Sequence, residues 1–199
     1  DSPSVPADAA LSPDAKTLAM IDAWGSIVLV DAKTGKLKKK LDSPKPSWGY
    51  YFVRWIDSGK RLAAAGMDAH LRIWNASSGK LEQDLELDHT VYQLLVPPEA
   101  GVLLIRSYDE LITYRKAKAG AWKKMGSRKA PGAAALSKDG KIMVLLEEHA
   151  MTFVERKSGK TIGKIEAKGR KLSSAVFSPD GSVLAVLQWD GTVGLWKVP

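Results

Sequence analysis

The sequence feature that most constrains the fold is a repeat of about 40 residues. "LSPD" at Leu11–Asp14 recurs as "LSKDG" at Leu136–Gly140 and as "FSPDG" at Phe177–Gly181. Weaker copies are "WIDSG" at Trp55–Gly59 and "VPPEAG" at Val96–Gly101. Equivalent positions in consecutive copies are 44, 41, 40 and 41 residues apart. A fixed period of this size indicates an array of similar supersecondary units.

A second marker keeps the same period. It reads "KTGK" at Lys33–Lys36, "SSGK" at Ser77–Lys80, "KAG" at Lys118–Gly120 and "KSGK" at Lys157–Lys160. Between the two markers lie apolar runs of strand length, and no run shows the 3.6-residue period of a helix. Gly-Lys pairs of this kind fit tight hairpins between neighbouring strands. The two markers together divide the sequence into five units.

The layout of each unit predicts an all-β fold. Four strands in about 40 residues is the arrangement of one blade of a β-propeller. We therefore predict a β-propeller with five recognisable four-stranded blades, of which the fifth lacks its outer strand. The predicted blades, all within one domain spanning 1–199, are 5–42, 47–88, 89–128, 131–169 and 171–198.

Two of the units resemble the tryptophan–aspartate (WD) repeat family: "LAAAGMDAHLRIWN" at Leu62–Asn75 and "VLAVLQWDGTVGLWK" at Val183–Lys197. The resemblance implies a propeller whose blades each bury a hydrogen-bonded set of His, Ser or Thr, Asp and Trp. The positions that match this set are Asp68 and Trp74 in the second unit, His89, Ser107 and Asp109 in the third, and Asp190 and Trp196 in the fifth. The third unit has Tyr114 where the family has Trp, so the chain resembles a divergent member. The "SPDGK"-type turns and lysine-rich hairpins favour a bacterial origin.

The fifth unit ends at Pro199, after its third strand, and residues 1–5 are a poor outer strand because two of them favour turns. We expect a five-bladed unit of a longer chain. Three alternatives stay open: a five-bladed ring with one weakly closed blade, a fragment of a six- to eight-bladed ring, and self-association in which a second chain completes the open blade. The sequence begins at Asp1, which fits either a processed, exported protein or a fragment.

Composition excludes several classes of protein. Hydrophobic residues make up 45% of the sequence, which argues against global disorder. There is no cysteine, so disulfides and zinc–thiolate sites are excluded. No apolar run reaches the roughly 18 residues that a membrane-spanning helix needs. The compartment, cytoplasmic or exported, is left open.

The sequence does not favour an enzyme. The first strand of each blade lines the axial channel of a propeller, and Asp8 and Arg54 are the only ionisable residues on those predicted strands. Glycoside hydrolysis needs two positioned carboxylates, which these strands lack. The three histidines, His70, His89 and His149, fall in three different units. We therefore predict no catalytic residues, no metal site and no cofactor.

The remaining candidate is a surface that binds another protein. In a propeller, the loops between blades share one face with the turns between the second and third strands. Aromatic and arginine side chains are the usual anchors of protein interfaces. The candidate partner-binding residues of this face are Trp24, Trp48, Tyr50, Arg128, Lys129, Lys168, Arg170, Lys171 and Trp189. We predict a non-catalytic protein–protein interaction scaffold or binding module.

Two other functions stay open. The whole chain has a net charge of +8. Much of this excess lies in residues 101–130, which carry eight Lys or Arg and two Asp or Glu. This excess would suit nucleic acid or another polyanion. The residues that would form such a basic patch are Arg115, Lys116, Lys118, Lys123 and Lys124. The third function is an accessory or sensor module of a larger enzyme or of a membrane-anchored protein.

Overall fold

The computed structural model describes residues 8–22, 26–41, 50–118 and 120–199, with the side chains of Tyr50 and Tyr51 excepted. The regular structure is almost entirely β-strand. The strands are β1 (Ala9–Leu11), β2 (Thr17–Ile21), β3 (Ile27–Asp31), β4 (Leu37–Leu41), β5 (Tyr50–Ile56), β6 (Arg61–Gly66), β7 (His70–Asn75), β8 (Leu81–Glu86), β9 (Val91–Leu95), β10 (Val102–Ser107), β11 (Glu110–Lys116), β12 (Trp122–Lys129), β13 (Ala134–Leu136), β14 (Ile142–Leu146), β15 (Ala150–Glu155), β16 (Thr161–Glu166), β17 (Leu172–Phe177), β18 (Val183–Gln188) and β19 (Val193–Lys197). One 3₁₀ turn, Asp57–Gly59, lies between β5 and β6.

The strands form five antiparallel sheets, one for each predicted unit. Blades 1 to 4 are the four-stranded sheets β1–β4, β5–β8, β9–β12 and β13–β16, and blade 5 is the three-stranded sheet β17–β19. Within each blade the strands pair in chain order, as a meander does. The predicted fold class is confirmed, including the absence of a fourth strand from blade 5 among the described residues.

The first sequence marker is a turn held by the same hydrogen bonds in three blades. In each, a serine hydroxyl donates to the carboxylate two residues later, and the Oγ accepts a backbone N–H from the start of the second strand. The hydroxyl–carboxylate pairs are Ser12–Asp14 (2.6 Å), Ser137–Asp139 (2.7 Å) and Ser178–Asp180 (2.5 Å). The residue after the aspartate has a positive φ, which explains Gly140 and Gly181. The first sequence marker therefore recurs because the same turn geometry recurs.

The core lies between the blades, because alternate residues of each second strand face opposite neighbours. In β6, Leu62 and Ala64 pack with blade 1, whereas Ala63 and Ala65 pack with blade 3. All four side chains are fully buried. Stacking on both faces accounts for second strands that are almost entirely apolar.

Polar side chains also join one blade to the next. The amide of Gln93 in blade 3 pairs with Ala134 in blade 4, donating to its carbonyl (2.7 Å) and accepting from its N–H (2.9 Å). Between blades 1 and 2, the Asp8 carboxylate accepts the Val53 N–H (2.9 Å) and forms an ion pair with Arg54. These contacts lie on or directly before the innermost strands, so polar groups join blade 1 to blade 2 and blade 3 to blade 4 there.

Candidate interaction surface

One face of the molecule is built from the turns between second and third strands and the loops between blades; we call it the turn face. Its two kinds of loop are joined by backbone hydrogen bonds that recur in three blades. The N–H groups of Leu87, Ala130 and Ala167 donate to carbonyls in the turns of blades 2, 3 and 4, at 2.7, 2.6 and 2.7 Å. This arrangement is the one that the sequence analysis expected for the predicted partner-binding residues.

The structure brings four of those residues together where blade 4 meets blade 5. Lys168, Arg170 and Lys171 lie on the loop before β17, and Trp189 lies on the turn after β18. The Trp189 N–H donates to the Lys171 carbonyl at 2.9 Å, which fixes the turn against the loop. The Trp189 side chain is 75% exposed. We call these four residues the cationic patch.

The charges of the cationic patch are only partly neutralised. Lys171 Nζ lies 2.7 Å from Glu148, and this hydrogen bond lowers the pKa of the Glu148 carboxyl. The Thr192 hydroxyl and N–H engage Asp190 and lower its pKa. Neither Lys168 nor Arg170 has a carboxylate within ion-pair distance in the described part of the chain. Two cations of the loop before β17 are therefore without an ion-pair partner in the described chain, and the Trp189 side chain of the adjoining turn is exposed.

A second group on the turn face, formed by Tyr92, Arg106 and Tyr108, was not identified from the sequence. The register of β9 against β10 shifts between Arg106 and Ser107, so Tyr92 is the extra residue of a β-bulge. The Arg106 guanidinium lies 5.2 Å from the Tyr92 ring centroid, and its Nη1 donates to the Tyr108 carbonyl at 3.2 Å. Burial lowers the pKa of Arg106.

Trp189, Tyr92 and Tyr108 are the most exposed aromatic side chains of the described residues, and all three lie on the turn face. Two signals in the sequence could have pointed to Tyr108. It directly precedes Asp109 in a tight turn, and it is a large residue where the second and fifth units have Met67 and Trp189.

The other predicted partner-binding residues are not part of the cationic patch. Trp24 and Trp48 lie outside the described residues, as does the side chain of Tyr50. Arg128 donates to the Arg156 carbonyl of blade 4 at 3.2 Å, so it joins two blades rather than projecting from the turn face. Lys129 is exposed at the end of β12, opposite Glu110.

The predicted basic patch is largely neutralised by carboxylates of other strands and loops. Three of its five cations make ion pairs: Arg115 with Glu99 (3.1 Å), Lys116 with Asp57 (2.7 Å) and Lys124 with Asp88 (3.2 Å). Burial raises the pKa of Asp57, but the hydrogen bonds from Lys116 and Arg61 outweigh it and leave the pKa below its usual value. Lys118 and Lys123 are exposed. Three of the five positive charges of the basic patch are therefore neutralised by ion pairs, and its net charge is lower than the sequence of this segment suggests.

The residues that match the WD set differ in burial and in their hydrogen-bond partners. Trp74 is buried between blades 1 and 2, and Asp68 forms an ion pair with the buried Arg72. Ser107 donates to the Thr90 carbonyl at 2.8 Å, beside the bulge. His89 is exposed, and no side-chain hydrogen bond joins it to Asp109 within the described residues. The bulge places the Ser107 hydroxyl on a backbone carbonyl instead.

In blade 5, Asp190 accepts hydrogen bonds from the Thr192 N–H (2.9 Å) and hydroxyl (2.6 Å), so it holds its own turn. Trp196 packs against the core that blades 4 and 5 share. These two positions thus have local and packing roles, without the longer hydrogen-bonded set.

The channel side offers no cluster of titratable groups in the part of the chain that the structure describes. A cavity of about 400 Å³ lies against the first strands of blades 3, 4 and 5, and the charged residues of its lining are Arg54 and Lys138. The same residues contain no group of three or more His, Asp or Glu side chains placed to hold a metal ion. They also contain no helix long and apolar enough to cross a membrane.

Comparison with known proteins agrees with this geometry. The family model "WD domain, G-beta repeat" matches residues 37–75 and 159–197. The whole chain superposes on the β-propeller domain of Cps50 (Swd1) from Myceliophteria thermophila, with a TM-score of 0.82 and 14% identity, and covers 67% of that chain. The chain is a β-propeller in which two stretches match the WD-repeat family model. Comparison with curated protein sequences gives no match.

The propeller is also similar to hydrazine synthase from Kuenenia stuttgartiensis, with a TM-score of 0.76 and 16% identity. That match covers 94% of the propeller and 56% of the synthase chain, so the propeller spans little more than half of it. At this identity the likeness concerns the fold alone. WD-repeat propellers are generally non-catalytic scaffolds for protein interaction.

Proposed function

We propose that this propeller is a non-catalytic protein-interaction module and that the cationic patch binds an acidic segment of a partner protein. The observation that carries the proposal is the exposed Trp189 side chain, on a turn whose backbone is held by the Lys171 carbonyl. The adjoining loop carries Lys168 and Arg170, which have no carboxylate within ion-pair distance in the described chain, although the charge of Arg170 helps to lower the pKa of Asp190. Tryptophan and arginine are among the residue types enriched at the energetic centres of interfaces.

The charge of the patch defines the partner's chemistry. Lys168 and Arg170 favour carboxylates, and the Trp189 ring favours an apolar or aromatic side chain placed between them. Because the patch is exposed, salt should weaken the charged contacts more than the contact with the ring. The partner segment is therefore expected to combine acidic residues with one large apolar residue.

A displayed library of random peptides tests this proposal even though the natural partner is unidentified. The propeller should enrich peptides that carry two or more carboxylates around one apolar residue. Trp189→Ala and Arg170→Glu should each lower the affinity of an enriched peptide at least tenfold, which is about 1.4 kcal/mol or more. Binding is measured by fluorescence anisotropy.

Two variants serve as matched controls. Met125→Ala removes an apolar side chain that is also mostly exposed (62%) from an outer strand, and Lys123→Glu reverses an exposed charge away from the turn face. Both should leave the affinity unchanged, and all four variants should keep the wild-type melting temperature. Enrichment of peptides without acidic residues, or equal losses in patch and control variants, would contradict the proposal.

A further inference from the structure

Arg106 is a partly buried arginine that has no carboxylate partner in the described chain. Four other arginines with partly or fully buried side chains each form an ion pair with a carboxylate: Arg54, Arg61, Arg72 and Arg156. Among the described residues, the Arg106 guanidinium makes a single hydrogen bond, from Nη1 to the Tyr108 carbonyl, and its buried Nε has no acceptor. Most of the N–H donors of this guanidinium are therefore unused by the described chain.

The place that Arg106 occupies in the second strand is apolar in three other blades. Arg106 pairs with Leu111 of β11. The residues at the equivalent place in blades 1, 2 and 4 are Ile21, Ala65 and Leu146, which pair with Ile27, Leu71 and Met151 and are at most 1% exposed. Burial of a charge without a counter-ion does not stabilise packing, so the contact between blades does not explain an arginine at this place.

The neighbours of Arg106 on both adjacent strands face blade 4. Leu111 belongs to the apolar cluster that blades 3 and 4 share, and the amide of Gln93, opposite Arg106 on β9, is hydrogen-bonded to Ala134. Residues that pair across strands share one face of the sheet, so Arg106 also points toward blade 4. It lies one residue before the end of β10, at the turn face. A charged hydrogen bond beside such apolar surroundings is stronger than one in bulk water.

Two exposed tyrosines contact the guanidinium, one through its ring and one through its backbone. The Arg106 Cζ atom lies 5.2 Å from the centroid of the Tyr92 ring, and the Tyr92 side chain is 49% exposed. Tyr108, whose carbonyl accepts the Arg106 hydrogen bond, has a side chain that is 73% exposed. A guanidinium with an aromatic ring on one face still presents the N–H groups of its edge. A cation and two phenol groups are thus offered together on the turn face.

We infer that Arg106, Tyr92 and Tyr108 bind the carboxylate of an aspartate or glutamate side chain of a partner protein. A guanidinium matches a carboxylate with two parallel hydrogen bonds, and a phenol group can donate a further one. Arginine and tyrosine are enriched at protein interfaces, and exposed rings suit a side chain that a partner presents. The inference rests on the proposed function only in that a protein binds the turn face, because the site belongs to blade 3 and not to the cationic patch.

Arg106→Leu separates a binding role from a structural one. Because blades 1, 2 and 4 have apolar residues at this place, the variant should keep the wild-type melting temperature or exceed it by up to about 4 °C. Lys123→Gln removes a charge from an exposed place on the outer strand of the same blade and is the control. Differential scanning calorimetry gives these values. A loss of more than about 4 °C in Arg106→Leu would assign Arg106 to the stability of the blade and would overturn the inference.

Binding is measured with a defined probe, an acidic peptide that the wild-type chain enriches from the displayed library. The peptide is also made with each of its carboxylates replaced in turn by the amide. Arg106→Leu should weaken binding of the parent peptide by about tenfold or more, and Tyr92→Ala by about threefold, while Lys123→Gln stays within about twofold. For one of the amide peptides, Arg106→Leu should make little further difference, because the carboxylate that Arg106 binds is already absent.

The same data distinguish failure of this inference from failure of the proposed function. Losses of affinity with Trp189→Ala and Arg170→Glu but none with Arg106→Leu would overturn the inference and leave the proposed function standing. Losses with Arg106→Leu alone would support the inference and overturn the role of the cationic patch. If Arg106→Leu weakens every amide peptide as much as the parent peptide, no single carboxylate pairs with Arg106, and the inference is wrong. A chain that enriches no acidic peptide would overturn both.

Discussion

Tyr108 is held in the left-handed region of backbone conformation, with φ = 52°, although it is bulky and lies in an exposed turn. For a residue other than glycine this conformation costs about 1–2 kcal/mol. Strain of this kind is common at binding surfaces, where the position of a side chain matters more than stability. The Tyr108 carbonyl accepts a hydrogen bond from Arg106, and the Tyr108 side chain is exposed on the turn face.

Two substitutions at this position separate strain from recognition. Tyr108→Gly should leave the free energy of unfolding unchanged or raise it by up to about 1 kcal/mol, since glycine adopts this φ without strain. Tyr108→Ala should give no such gain, because its Cβ keeps the strain. If the turn face binds a partner through Tyr108, both variants should weaken that binding equally. Urea denaturation and peptide binding provide the two measurements, and a Tyr108→Gly variant that is clearly less stable than wild type would refute the strain argument.

Such single-residue features explain why the sequence predicted only part of the site. Trp189 and Arg170 are visible because the repeat places them in a turn and in a loop between blades. Tyr92 depends on a one-residue bulge, which leaves no signature in the residue types around it. Arg128 depends on the path of β12, which carries its guanidinium to the Arg156 carbonyl of the next blade. Neither position follows from spacing alone.

The Ser–Asp turn is the recurring element that defines the period. In blade 5, hydrogen bonds from Ser178 and Ser182 lower the pKa of Asp180 to about 2. The equivalent bonds lower the pKa of Asp14 and of Asp139, the latter chiefly through the Lys141 N–H. A carboxyl whose pKa is lower in the folded state adds stability above its unfolded pKa and loses it as the pH falls.

The turns should therefore lose their contribution to stability as the pH falls from about 4 to about 2. A triple variant with Asp14→Asn, Asp139→Asn and Asp180→Asn keeps an acceptor but cannot titrate. Its urea midpoint should depend less on pH over this range than that of wild type. Asp109→Asn, at an exposed turn residue without a side-chain hydrogen bond in the described chain, is the control. Parallel pH profiles for wild type and triple variant would exclude this role for the turns.

At this scale the sequence was a good guide to the structure. Each turn needs a serine, an aspartate and a residue that tolerates positive φ, at fixed spacing. The turn geometry can therefore be predicted from a few consecutive residues. Strand pairing then follows from chain order, because each blade is a meander. The ion pairs of the basic patch could not be predicted from the sequence. Lys116 meets Asp57 from 59 positions away, and only the packing of neighbouring blades brings them together.

In the described part of the chain, the molecule is a row of similar sheets, and the extensive contacts of each sheet are with its neighbours. The stability of such an array is approximately a sum of terms for each unit and each interface. Blades 2, 3 and 4 have two covered faces, whereas blades 1 and 5 have one. Blades 1 and 5 are therefore the least stable of the five.

Thermal unfolding of the 199-residue chain should start at the ends and deviate from a two-state transition. We expect the calorimetric enthalpy to exceed the van't Hoff enthalpy. In hydrogen exchange, amides of β18 and β19 should exchange faster than those of β10 and β14, which lie in blades with two neighbours. Equal calorimetric and van't Hoff enthalpies, with uniform protection from hydrogen exchange, would show instead that the five blades unfold as one unit.

The two like faces of every blade also bear on how such a protein can evolve. Each sheet presents small or branched apolar side chains to the blade before it and to the blade after it. Duplication of one repeat in the gene therefore yields a product whose new contacts are of the same kind as the old ones. Blade number can change by whole units without the invention of a new interface, while the loops of the turn face diverge independently.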